Sequence, residues 1–172
     1  MRGKVKLGGT FELVCFGPDG KEKWREKADN IITNEGLNHI LDAVLHAATQ
    51  ITTWYVIPVE TNTAPAAGMT YATPSFTEST AYSEGTRQAY VEAAASSQSI
   101  TNSASPAAFS INATKTIYGA ALVGGGSAPT TKGDAAGGGT LLCYALLTAS
   151  KDVSSGDTLN ITYTVSAADD GA

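Results

Sequence analysis

From residue 51 onward the chain nearly abandons charge and runs in short alternations of apolar and small polar residues. Thr158-Leu159-Asn160-Ile161-Thr162-Tyr163-Thr164-Val165 is the clearest of these. Successive side chains of an extended strand point to opposite faces, so such a run has one apolar face and one polar face. Ala, Gly, Ser and Thr make up most of what remains. The pattern specifies a β-scaffold with small polar outer faces, and further strands are expected at 52–59, 87–93, 107–111, 115–123 and 141–148. Pro-, Gly- and Ser-rich connectors separate them.

The first 50 residues differ. They hold seven basic and seven acidic groups, against four and nine in the rest. Residues 10–28 read as a β-hairpin closed by Gly17-Pro18-Asp19-Gly20, where Pro presets one dihedral and Gly accepts positive φ. On its return strand Lys23, Arg25 and Lys27 share one side, and Trp24 takes the other with Glu22 and Glu26. Leu37, Ile40, Leu41, Val44 and Leu45 then fall at helical spacing and predict a helix over 34–48 with an apolar stripe packed on a sheet. Thr33 or Asn34 can cap its start.

One domain spanning 1–172 is expected, with a basic N-terminal arm at 1–9, the hairpin at 10–28, the helix at 34–48 and a β-body at 51–166. The fold class follows: mainly β, an antiparallel sandwich or jelly roll with an N-terminal hairpin and one packed helix. The connectors 62–75 and 124–139 are long enough to act as functional loops that wrap a neighbouring subunit.

A net charge of −5 and a pI near 4.9 leave too few Lys and Arg for phosphate binding, so direct nucleic-acid contact is not expected. No apolar run approaches the roughly 20 residues that cross a bilayer, and residues 1–20 lack a secretion signal's apolar core. Assembly in a cytoplasm without a membrane partner is the expectation. Cys15 and Cys143 both sit in apolar runs and read as reduced core thiols rather than a disulfide.

A search for chemistry returns little. Gly124-Gly125-Gly126 lacks the Lys and the following helix of a phosphate loop. His39 and His46 are seven apart, where a helical metal pair prefers four. Asp152 and Asp157 fit a plain turn better than a calcium loop. Glu78, Glu84 and Glu92 near Tyr82 and Tyr90 could handle sugar, yet Trp54-Tyr55-Val56 reads as ordinary strand core. No enzymatic activity, cofactor or metal is expected.

Several short segments in order carry a resemblance. They are Asn34-Glu35-Gly36-Leu37, Trp54-Tyr55-Val56, Glu78 with Tyr82-Ser83-Glu84 and Arg87, and Asn102-Ser103-Ala104-Ser105-Pro106-Ala107 with Phe109. Ile117-Tyr118-Gly119-Ala120 and Gly156-Asp157-Thr158-Leu159-Asn160-Ile161-Thr162-Tyr163 complete the set. Together they resemble a family of small tailed-bacteriophage head-associated structural proteins, the capsid decoration or cement proteins. One departure is Ile57-Pro58-Val59 after the Trp-Tyr-Val segment. Pro58 lacks a ladder donor, so this strand should end early or lie at an edge.

The resemblance implies a virion protein on the capsid exterior, bound to the major capsid protein and to copies of itself as a dimer or trimer. Arg2, Lys4, Lys6, Trp24, Gly124, Gly125 and Gly126 are the contact candidates. The alternative is a tail-fibre or baseplate module that reads host-surface carbohydrate, in which Tyr71, Tyr82, Tyr90 and Tyr118 would form an exposed binding surface.

Overall fold

The computed structural model describes residues 4–126, 130–135 and 137–169. Ten strands and one helix follow in the order β1 (Val5–Phe16), β2 (Glu22–Asp29), β3 (Ile31–Ile32), α1 (Asn34–Leu45), β4 (Trp54–Val59), β5 (Gln88–Ala89), β6 (Ser99–Thr101), β7 (Ala107–Ser110), β8 (Lys115–Gly124), β9 (Thr140–Val153) and β10 (Thr158–Asp169). They form two antiparallel sheets. The first has the order β2-β1-β10-β6, with β7 also on β10; the second has the order β3-β9-β8-β4-β5.

The hairpin forms as the Gly-Pro-Asp-Gly signal predicts, with Gly20 at φ 76° and its amide donating to the Gly17 carbonyl at 2.9 Å. The faces of β2 also divide as the alternation demands. Lys23, Arg25 and Lys27 are exposed, and Trp24, Glu26 and Ala28 turn inward. The expected arm is shorter than nine residues: the chain enters β1 at Val5, and residues 5–9 pair with 165–169 of β10.

Alternation explains the core between the sheets. Phe11, Leu13 and Cys15 from β1 and Leu159, Ile161 and Tyr163 from β10 meet Ile117, Ala120 and Leu122 from β8 and Cys143, Ala145 and Leu147 from β9. Phe11 stacks on Tyr163 with centroids 4.3 Å apart. Both cysteines are free and buried. Burial, with the Asp157 carboxylate adding to it at Cys15, pushes each thiol up to about 12.

The second sheet is buried on both faces. Its outer side, with Ile57, Val59, Ala121, Val123, Leu141 and Tyr144, is covered by Met69, Tyr71 and Phe76 from the connector between β4 and β5. Two-sided burial is why β4 and β8 read as nearly continuous apolar runs. The segment 62–75, expected to wrap a neighbour, therefore packs on its own chain. Pro58 fits because it faces Ala120 as a β4–β8 partner while its carbonyl points away, accepting from the Ser79 amide at 2.8 Å. A residue's amide and carbonyl lie on the same side in an antiparallel strand, so the missing donor costs no bond to β8. Strand β4 runs through Pro58 to Val59 and does not end early. Beyond the two-residue β5 its outer side is met by residues 77–79, with Val59 bridging Glu78 and the Glu60 amide donating to the Thr77 carbonyl at 2.9 Å, so the expected edge is covered.

The helix departs most from expectation. It starts where predicted, with Thr33 as N-cap accepting from the Gly36 amide at 3.0 Å, and stops at Leu45 rather than residue 48. Its apolar stripe is packed on the body only in part, with Ile40 against the core between the sheets. Gly36 alone is buried, Ile40 is half-buried, and Leu41, Val44 and Leu45 are 55%, 75% and 79% exposed. The reason lies in the first turn, which is tied down tightly. The Thr33 amide donates to the Leu142 carbonyl at 3.0 Å, and its hydroxyl donates to the Leu141 carbonyl. The Glu35 carboxylate accepts from the amides of Tyr71 at 2.9 Å and Leu141 at 2.6 Å. With the first turn pinned and Ile40 against the core, the outer side of the stripe at Leu41, Val44 and Leu45 is left exposed.

Gly36 makes that anchor possible: a Cβ there would lie 2.5 Å from the Leu142 carbonyl oxygen and 2.9 Å from its Cα. Ala is the better helix former by about 1 kcal/mol. The clash is with backbone, which cannot rotate away, and overpacking of this kind costs about 1–3 kcal/mol. Gly36→Ala should therefore lower the melting temperature in a thermal scan, and an increase would refute this account of the anchor.

Candidate functional site

Two features stand out once the fold is built: a buried ionic latch and an exposed apolar end. The latch joins the β4–β5 connector to the β8–β9 connector. Arg87 and Glu78 are 3% and 6% exposed and lie 2.7 Å apart. The guanidinium forks onto both Glu78 oxygens through Nε at 3.1 Å. It also donates to the Tyr71 hydroxyl at 2.8 Å and the Asp134 carbonyl at 2.7 Å. Glu78 in turn accepts from the Gly133 amide at 2.9 Å, and the Arg87 amide donates to the Thr130 carbonyl at 2.9 Å. A planar guanidinium suits this many acceptors better than an ammonium would.

The exposed end gathers where β1 starts, β8 finishes and β9 begins. Val5 and Leu7 of β1 line a groove of about 360 Å³ with Leu37, Ile40, Leu41, Val44 and Leu45 of α1. The groove continues past Leu7, Ile40 and Val44 into a second of about 350 Å³ reaching Ile51 and Trp54. His39 meets Trp54 edge-on at 5.6 Å. Exposed apolar surface of this extent on a folded chain commonly marks an interaction site.

The contact candidates named from the sequence fall in three places. Lys4 and Lys6 are exposed at the start of β1, beside the groove. Gly124 backs onto Trp54, and Gly125 and Gly126 adopt φ of 67° and 71° at the same end, near Ile51. Trp24 lies at the opposite end, half-buried, its indole donating to the Asp152 carbonyl at 2.8 Å. Arg2 lies outside the described residues, as do 127–129 and 136 of the glycine-rich loop. Sequence reasoning missed Val5 and Leu7, which it placed in the basic N-terminal arm at 1–9. Their alternation with Lys4 and Lys6 is a short strand signal that could have found them.

The expected tyrosine surface is absent. Tyr71, Tyr82 and Tyr90 are core residues, and Tyr118 is half-buried. The acidic candidates are likewise occupied: Glu78 by Arg87, and Glu84 by the Ser110 amide at 3.1 Å. Among the described residues no three His, Cys, Asp or Glu side chains converge as a metal site, and no helix is long and apolar enough to cross a membrane.

At the far turn Asp157, 2% exposed, pairs with Lys23 at 2.5 Å and accepts from the Ser154 amide at 2.8 Å and the Cys15 thiol at 3.6 Å. Burial alone would raise this carboxyl, but these donors outweigh it and hold it below its ordinary value.

The described chain is thus a two-sheet β-body with latched connectors and one apolar end. A family model described as Podophage GP4 fiber I protein gp80 matches residues 28–166, and the chain belongs to that family. It is a bacteriophage structural protein of a fibre family, so the resemblance to phage structural proteins holds, with fibre in place of capsid decoration. No curated protein matches the chain significantly.

Removing one partner of a buried ion pair strands the other, at about 3–5 kcal/mol. Arg87→Ala should lower the urea midpoint accordingly, with Arg87→Lys recovering only part of the loss. A wild-type midpoint in Arg87→Ala would remove the latch from the stability argument. Asp157 gives a pH prediction. Its carboxyl is depressed in the folded state, so its contribution is present above the unfolded value near 3.9 and lost as pH falls through the folded one. The stability gap between wild type and Lys23→Met, measured in urea, should be open at pH 7 and shrink below pH ~4. A gap independent of pH would contradict the pairing.

Proposed function

We propose that this protein is a structural subunit of a podophage virion fibre, joined to a neighbouring subunit through the apolar end formed by α1 and the start of β1. The observation that carries the reading is the family match over 28–166. The geometry supports it. The connectors that would otherwise be mobile are fastened to the body by Glu35, Glu78 and Arg87. A stiff body with one sticky end transmits position and load, which is the task of a fibre component. A folded unit of this length spans only about 40 Å, so an extended appendage needs several such units or several proteins joined.

The chain's own residues lend little to glycan reading, because three of its four candidate tyrosines are core. Attachment to the major capsid protein is the competing location.

Purified virions labelled with antibody against this chain and gold should carry gold on an appendage. Gold over the head shell would return the protein to capsid decoration and overturn the fibre reading.

A further inference from the structure

Strand β1 runs further than its neighbour. Residues 5–16 pair with β10, but β2 reaches back only to Thr10, opposite Asp29. Over residues 5–8 the other edge of β1 has no strand among the described residues, and the last bond on that side is the Asn30 amide to the Gly9 carbonyl at 3.0 Å. An open strand edge is a template for pairing with another chain. Here it borders the α1 groove, so hydrogen-bonding and apolar surfaces are continuous.

We infer that a second copy of this chain docks on this surface, the two β1 edges pairing antiparallel about a twofold axis normal to the sheet. That axis keeps both helices on the same face of the joined sheet, where their stripes close over Val5 and Leu7 of both copies. The choice of a second copy rests on the fibre reading and on three features of the surface. An antiparallel edge is self-complementary, as an isologous interface requires. Val5, Leu37, Leu41, Val44 and Leu45 together expose on the order of 500 Å² of apolar surface, so two copies bury about 1,000 Å², the lower bound for a specific interface.

Register supplies the third feature. Overlap of residues 6–8 places Leu7 opposite Leu7 of the second copy and Lys6 opposite Gly8, with each Val5 leaving the ladder before Gly9, whose carbonyl the Asn30 amide already occupies. Gly8 has open space around its Cα and meets Lys6 without a clash. Sliding by one pair centres Lys6 on Lys6 and sets like charges face to face, which disfavours it.

Sedimentation of the purified chain at high micromolar concentration should show a dimer. Leu41→Asp with Leu45→Asp, both at exposed positions, should leave the circular dichroism spectrum unchanged and weaken association at least tenfold. Leu7→Cys should give a disulfide-linked dimer on mild oxidation, since Cys15 and Cys143 are buried and do not compete. A monomeric wild type, a dimer indifferent to both aspartates, or a Leu7→Cys dimer that never cross-links would each overturn the inference. Gold on the appendage with a monomeric protein would sink the interface alone; gold on the head would sink the fibre reading and leave the mass measurement standing.

Discussion

Burial of the second sheet on both faces is the constraint from which most of the structure follows. A sheet so enclosed needs a cover, and the chain supplies it from the connector between β4 and β5 by placing Met69, Tyr71 and Phe76 over Ile57, Val123 and Tyr144. Irregular backbone laid on an apolar sheet must be held by something other than a ladder. Arg87 and Glu78 serve that purpose, reaching across to the Gly133 amide and the Asp134 carbonyl so that cover and neighbouring loop are fixed together. The apolar contacts provide the driving force, and the ion pair selects one arrangement of the cover.

The same logic governs the helix. Thr33 and Glu35 bond to β9 and to the cover through Leu141, Leu142 and Tyr71, so the first turn belongs to the body. Nothing comparable holds the last two turns, and among the described residues no element lies over Leu41, Val44 and Leu45. The outer side of an amphipathic stripe thereby becomes surface instead of core. The residues behind the resemblance have a related role. Glu35 and Gly36 anchor the helix, Glu78 and Arg87 form the latch, and Asn102 clamps β10, donating to the Ile161 carbonyl at 3.3 Å and accepting from the Tyr163 amide at 2.8 Å. Those motifs record how the scaffold is fastened, not what it touches.

That division explains what could be read from the sequence. Strands with alternation or continuous apolar runs, such as β8 and β10, were legible because local pattern and tertiary burial agree. Strands β3 and β6, of two and three residues, carry too little pattern and exist only because β9 and β10 offer edges. The helix was legible as an element but not as a surface, since periodicity reports an apolar face without saying what covers it. Tyr71, Tyr82 and Tyr90 were misplaced for the converse reason: in polar surroundings they looked exposed, and only the fold brings Arg87, Phe109 and Tyr163 against them.

Geometry also indicates where load should enter such a body. Val5 and Asp169 are register partners at one end of the β1–β10 pair. A pull applied through those two residues would separate the strands one pair at a time, each step resisted by little. A load entering across the α1 face is shared by the groove and passes through the pinned first turn into β9, a central strand of the doubly buried sheet. The apolar end is therefore the mechanically sound place to join this module to another, and the latch on the opposite face of that sheet keeps the receiving strands from shifting under it.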